Sequence, residues 1–396
     1  MVKNMILESK AAWARMSNSL VSDIKNPSRQ KITRICLENA RKHYMAEAAM
    51  SGTTASNIAI VNRVIMPMIK RVMPTVMAHD LIGVQPLQGP TGLISTMKFK
   101  YNSTSPKDGS GIVNGQEALS PFLLGAWYSG NEDVNNPDAA NTATMEGVRG
   151  NAMSVSIEKE MVEAKTRRLS AEFTIEAFQD AQSQYGVNLE NELTTALANE
   201  VTVEIDQDIL GKLFAIAGLP VDTYDQNKTS GVSVSVVDEH AALAVMINRY
   251  ANSIAKKIKK GAANWAVVSN AVLSVLQSAG ASQFARTTEG TFEAPTNNKY
   301  VGTLNGQMKV YVNTYAEDNQ DILIGYKGSD EIDACAYFCP YIPCQSTGVL
   351  IDPSTLTNVI GILTRYGFKA LTNPASSFGN AGDFLARIAV ANLRYA

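Results

Sequence analysis

Histidine is almost missing from this chain: three in 396 residues, at His43, His79 and His240. Each stands alone in a helical or apolar setting, with no Cys or second His at ligand spacing. That removes the common patterns for metal binding and general-base catalysis. Cysteine is also scarce, four in all. Cys36 is isolated; Cys335, Cys339 and Cys344 cluster, but without a fourth ligand or the close pairing of a zinc site. Buried reduced thiols are the expected state, with a disulfide or a metal site as alternatives. Neither a G-x-S-x-G nucleophile elbow nor a Walker-type phosphate loop occurs. Gly109–Gly115 has the look of a dinucleotide loop, but its spacing is one residue too long and no strand precedes it. No apolar run is long enough to cross a bilayer. The N-terminus has no secretory h-region, since Lys10, Trp13, Arg15 and Ser17 interrupt it. Synthesis and assembly in a cytoplasm are therefore expected. No catalytic, cofactor-binding or metal-binding residue emerges, and no cofactor is expected. An enzyme remains the alternative class.

What the chain does have is a spine. Leu189, Leu193, Leu197, Val201, Ile205, Ile209 and Leu213 recur every four residues. Each step overshoots a helical turn by roughly 40°, so the apolar stripe winds from one packing partner to the next. A helix over 189–217 would be about 43 Å long, a strut rather than a pocket wall. Asn188 is its predicted N-cap. The opposite face is expected to be acidic, with Glu190, Glu192, Glu200, Glu204, Asp206 and Asp208. Glu204 and Asp208 share a face and could act as paired carboxylates, but no His or Cys joins them. A solvated or subunit-facing surface is the simpler reading. Ahead of the spine, Leu169, Ala171 and Phe173 alternate with polar residues as a half-buried strand, and Ile175–Gln184 reads as a short helix ended by Gly186.

The hydrophobic fraction is 45 %, the charged fraction 18 % and the net charge −2. The charge is uneven: residues 1–50 hold nine Lys and Arg against four acids, a balance of +5, leaving −7 for the rest. This basic arm suits the acidic surface of another subunit, the spine's acidic face in particular, or nucleic acid. Its helices break at Asn26-Pro27, with Ser28 the predicted cap of the second. Ser95–Tyr101 and Met153–Ile157 alternate as strands, and residues 102–151 between them read as a projecting polar arm. Further along, Glu239–Lys260 reads as an amphipathic helix with a cationic end, Trp265–Ser269 as a buried strand and 271–279 as a helix. Residues 300–313 form a hairpin turning at Asn305-Gly306. Strands follow at 321–326, 334–338, 359–366 and 387–395. The fold class is mixed α+β.

Four collinear stretches carry a resemblance: Asp80–Gly92, Glu163–Leu169 with Ile175–Asp180, Ile324–Ala334 with Pro340-Tyr-Ile, and Leu363-Thr-Arg-Tyr-Gly367. Together the chain resembles the major capsid proteins of T-even-type contractile-tailed bacteriophages. The resemblance implies an HK97-like fold without catalysis, copies joined as hexamers, with pentamers of the same chain left open, and an icosahedral or prolate head around double-stranded DNA held by weak, non-specific contact. It places an N-terminal arm at 1–75, the entry to a peripheral domain at 76–94, an extended loop at 95–162 lying on an adjacent subunit, and the peripheral domain with the spine at 163–228. An axial domain follows at 229–320, with peripheral return strands at 321–396. Decoration, vertex, portal and scaffolding proteins are the implied partners, with no membrane. Two departures stand out. The extended loop lacks room for the large inserted domain of T-even-type relatives, and Ile6-Leu7-Glu8 is the one triplet matching the head-protease pattern, which would cut after Glu8. A bacterial nanocompartment of the same fold is the structural alternative.

Overall fold

A computed structural model describes residues 17–22, 26–50, 76–102, 151–186, 189–225, 236–258, 260–278, 284–286, 299–318, 320–329, 333–352, 357–371 and 380–393, with residues 13–15, 24, 113–116, 118, 139, 141–146 and 355. Helix α1 (Pro27–Met50) opens with Pro27, whose missing N–H costs nothing in a first turn. Its cap is Asn26, not the predicted Ser28: the Ser28 amide donates to Asn26 Oδ1 at 3.0 Å. An acceptor two residues upstream is what the N2 amide needs.

A short helix α2 (Ala78–Leu81) leads to β1 (Gly83–Val84) and β2 (Thr91–Tyr101). After α3 (Thr142–Met145) come β3 (Met153–Glu163) and β4 (Lys165–Phe173), parted by the single residue Ala164. Helix α4 (Ile175–Asp180) is capped by the Thr174 hydroxyl, which accepts from the Ala177 amide. It widens into a π turn, Ala181–Tyr185, ended by Gly186 at φ 65°, the left-handed stop expected there. The spine, α5, runs Leu189–Ala217, the predicted limits. The predicted cap Asn188 lies outside the described residues.

The rest is β5 (Asp222–Asp225), α6 (Val236–Ile258), β6 (Trp265–Ser269), α7 (Asn270–Ser278), β7 (Phe284–Arg286), β8 (Lys299–Leu304), β9 (Met308–Asn313), β10 (Ile322–Gly325), β11 (Ala336–Ile351), β12 (Asn358–Ala370), a 3₁₀ turn (Ala381–Phe384) and β13 (Leu385–Ala391). Asn305 and Gly306 both have positive φ, 52° and 71°, as a type I′ turn between β8 and β9 demands.

Three sheets result. Among the described residues one is four-stranded, β1-β11-β12-β4, one seven-stranded, β5-β13-β10-β6-β9-β8-β7, and one two-stranded, β2-β3. The expected grouping of 321–396 as strands returning to the spine's sheet needs correction. Only β11 and β12 return; β10 and β13 join β6 in the seven-stranded sheet, Leu323 standing opposite both Val267 and Arg387. Short, wholly apolar strands such as Ile322–Gly325 bury both faces and carry no mark of which sheet they enter.

The spine lies between the two larger sheets, against β4 and β12 on one side and β13 and the 3₁₀ turn on the other. Its predicted stripe is buried from Leu197 through Leu213. A second buried row, Ala198, Thr202, Asp206 and Leu210, runs beside it. Asp206 is therefore no part of an acidic outer face. It is 1 % exposed, and its Oδ1 accepts from the Met77 amide at 2.9 Å. Gln207 and Asn313 exchange side-chain hydrogen bonds at 2.8 and 3.3 Å, tying the spine to the end of β9.

In the basic N-terminal region, the described helix α1 departs from expectation. Instead of reaching outward, α1 packs against β11 of its own chain, with Ile32, Cys36, Leu37 and Ala40 in the main core. Asn39 donates to the carbonyls of Leu87 (2.7 Å) and Tyr341 (3.2 Å), and Arg29 pairs with Asp80. Burying Ile32 and Leu37, at roughly 1.5–3 kcal/mol each, with smaller contributions from Cys36 and Ala40, explains why its amphipathic pattern wins over its charge.

Candidate assembly surfaces

The carboxylates singled out on the spine are held by cations of their own chain. Arg167 on β4 pairs with Glu204 and, at 2.7 Å, with Asp208. Asp208 also accepts from Lys212 (2.5 Å) and from the Tyr366 hydroxyl (2.9 Å) of β12. Burial alone would raise the Asp208 carboxyl, but hydrogen bonds from Lys212 and Tyr366 and the charges of Lys212 and Arg167 outweigh it and hold the group below its ordinary value. The arrangement is a clamp joining spine to sheet. The expected pairing of this face with the basic arm is replaced, at Glu204 and Asp208, by Arg167 and Lys212.

The three histidines lie on separate elements. His43 on α1 faces the Gln345 side chain, the His79 carbonyl accepts from Lys327 at 2.6 Å, and His240 on α6 contacts the Ser278 hydroxyl. All four cysteines are free thiols, and burial pushes each up to about 12. Among the described residues no group of His, Cys, Asp and Glu could hold a metal ion. Lys256 and Lys257 close α6, and Lys260 pairs with Asp333. No described helix is long and apolar enough to cross a membrane.

The β2–β3 ribbon pairs without a break over eleven residue pairs, from Thr91 opposite Glu163 to Tyr101 opposite Met153. Odd-numbered residues share one face, because a strand's side chains alternate. On that face Leu93, Phe99, Met153, Val155, Ile157 and Met161 are 39–65 % exposed. Leu93 stands opposite Met161, and Phe99 opposite Val155. At the ribbon's outer end the chain folds back on β2: the Ala118 amide donates to the Phe99 carbonyl and the Tyr101 amide to that of Gln116. The remainder of the polar arm expected over 102–151 lies largely outside the described residues. Leu350 and Ile351 are exposed at the tip of the β11–β12 hairpin, and Leu219 is 87 % exposed just beyond the spine. The alternating apolar residues of β2 and β3 were legible in the sequence, but their exposure was not, because alternation marks an apolar face without saying what covers it.

The family model for the major capsid protein Gp23 matches residues 58–391. The chain belongs to the Gp23 major capsid protein family. It is 27 % identical to the major capsid protein of Vibrio phage KVP40 over 84 % of this chain and 80 % of that protein. It is 26 % identical to that of Enterobacteria phage T4, over 82 % of this chain and 78 % of the other. Among solved structures, it is similar to a chain of Microbacterium phage Oxtober96 (TM-score 0.47, 10 % identity, covering 80 % and 91 % of the two chains). It is also similar to one from the capsid of Myoviridae phage XM1 (TM-score 0.44, 11 % identity, 78 % and 90 %). The capsid chain is thus a structural protein of a tailed phage and a component of the virion.

Proposed function

We propose that this capsid chain joins copies of itself into hexamers of an HK97-like head that encloses double-stranded DNA, in the cytoplasm of its host. In this reading the spine and four-stranded sheet form the peripheral domain and the seven-stranded sheet the core of the axial domain. The β2–β3 ribbon is the extended loop, lying on the adjacent subunit. Pentamers of the same chain, and decoration, vertex, portal and scaffolding proteins, complete the shell.

The observation that carries this reading is the apolar face of the ribbon. Six large apolar side chains on one face, uncovered among the described residues, call for a partner. Fully burying such a side chain contributes roughly 1.5–3 kcal/mol, so covering the half that is exposed contributes about 1 kcal/mol each, before the cost of association. In a closed ring the same contact recurs at every interface, so these contributions add around the ring.

Val155→Asp with Ile157→Asp tests it. The double variant should fold, with an unchanged circular dichroism spectrum, yet stay unassembled in sedimentation and negative-stain microscopy where the parent chain forms shells or tubes. Assembly equal to that of the parent would overturn the reading.

A further inference from the structure

Two glycines of the family-like stretches, Gly92 and Gly367, lie at the root of the ribbon. A Cβ on Gly367 would sit 2.6 Å from Val162 Cγ1 and 2.9 Å from the Glu163 carbonyl oxygen; one on Gly92 would sit 2.3 Å from Leu87 Cδ2. The Glu163 oxygen is backbone and cannot rotate aside. The residues below it, Leu87, Ile94, Val162, Tyr337 and Cys339, form a small buried cluster separate from the main core, with Leu371 touching both. The Ala164 amide donates to the Pro90 carbonyl (2.8 Å) and closes the ribbon's own ladder at its root, while the Lys369–Glu160 ion pair (3.4 Å) ties the ribbon to β12.

We propose that Gly367, assisted by Gly92, is a positioning residue that sets the angle at which the ribbon leaves the four-stranded sheet, with the five-residue cluster as its pivot. This rests on the reading of the ribbon as the assembly arm. The geometry gives the size of the effect. Ordinary contact begins at 3.4 Å. A methyl at Gly367 therefore pushes the Glu163 backbone back by about 0.5 Å. Ala164, the next residue, is held to Pro90 about 3.8 Å away along the chain, so the strand tilts by about 8°. Over eleven residues of strand, about 37 Å, the ribbon's end moves by about 5 Å. With the ribbon as the arm that lies on the adjacent subunit, a methyl group at its root is felt as a changed angle between subunits.

The test is a distance measurement on the unassembled full-length chain. Spin labels are placed at Lys100→Cys near the ribbon's outer end and Glu200→Cys on the spine; the four native thiols are buried. Gly367→Ala should shift the mean distance by up to about 5 Å, the displacement worked out above. Leu87→Ala, which hollows the pivot without adding a clash, should broaden the distance distribution. An unchanged mean in a folded Gly367→Ala chain overturns the proposal. If that variant does not fold, an unbroadened distribution in Leu87→Ala overturns it instead, and a broadened one supports it. Failure of the capsid reading looks different: the parent chain would not assemble, while the distances still moved.

Discussion

The clamp at Asp208 allows a sharp prediction about what joins the spine to its sheet. Tyr366→Phe removes one hydroxyl whose oxygen lies 2.9 Å from Asp208 Oδ2. A hydrogen bond to a charged partner is worth about 1.5–3 kcal/mol. Asp208 keeps Arg167 and Lys212 after the change. The cost at pH 7 should therefore fall at the low end, about 1.5 kcal/mol. Asp208→Asn keeps the shape and removes the charge; in that background the same Tyr366→Phe change should cost about 0.5 kcal/mol, a coupling of about 1 kcal/mol. Acid should erase the difference. The Asp208 carboxyl is held below its ordinary 3.8 in the folded chain. Between the folded and unfolded values the unfolded chain binds more protons, so stability rises with pH there. The contribution is complete above 3.8 and is lost as pH falls through the folded value. Tyr366 stays protonated throughout, raised by burial and then by its bond to Asp208. Urea unfolding of the unassembled chain and the three variants, at pH 7 and in steps into acid, measures all of this. Equal costs of Tyr366→Phe in both backgrounds at pH 7 would refute the clamp.

Other outcomes follow from the packing. A Cβ on Gly325 would lie 2.1 Å from Trp265 Cζ2, on the paired strand; Gly325→Ala should destabilise by about 1–3 kcal/mol and shift tryptophan fluorescence, measured by thermal unfolding. Asn39→Ala leaves the carbonyls of Leu87 and Tyr341 without their donor. It should cost about 1–3 kcal/mol and speed amide exchange in α1. Thiol reagents at pH 8 should leave all four cysteines unmodified in the folded chain and react with all four in urea, since burial both hides them and keeps them protonated.

Some of this fold was open to reading from residues alone, and physical reasons separate those parts from the rest. The spine, the buried strand Trp265–Ser269 and the turn at Asn305-Gly306 were legible because each is a local signal: a long period, a continuous apolar run, two residues tolerant of positive φ. The second buried row of the spine was hidden because Thr202 and Asp206 interrupt it. A carboxylate reads as surface until its partner, the Met77 amide 129 residues earlier, is known. Sheet membership of β10 and β13 was hidden for a related reason: strand pairing is a long-range choice among similar apolar segments. The charge clamp was half legible. The acids on the spine were evident, but Arg167 could not be recognised as their counter-ion without the pairing of β4 with β12 that places it there.

The one-residue joint at Ala164 has a mechanical consequence. Tension along the ribbon passes through it straight into β4, whose nine residues pair with β12 from Lys165 opposite Tyr366 to Phe173 opposite Asn358 without a bulge. Ladder bonds lie across the strands, so a pull along the strand strains the whole row in shear instead of opening it from one end like a zip. A load along the ribbon is thus shared among many bonds where the ribbon meets the four-stranded sheet, and β4 serves as a tendon as much as an edge.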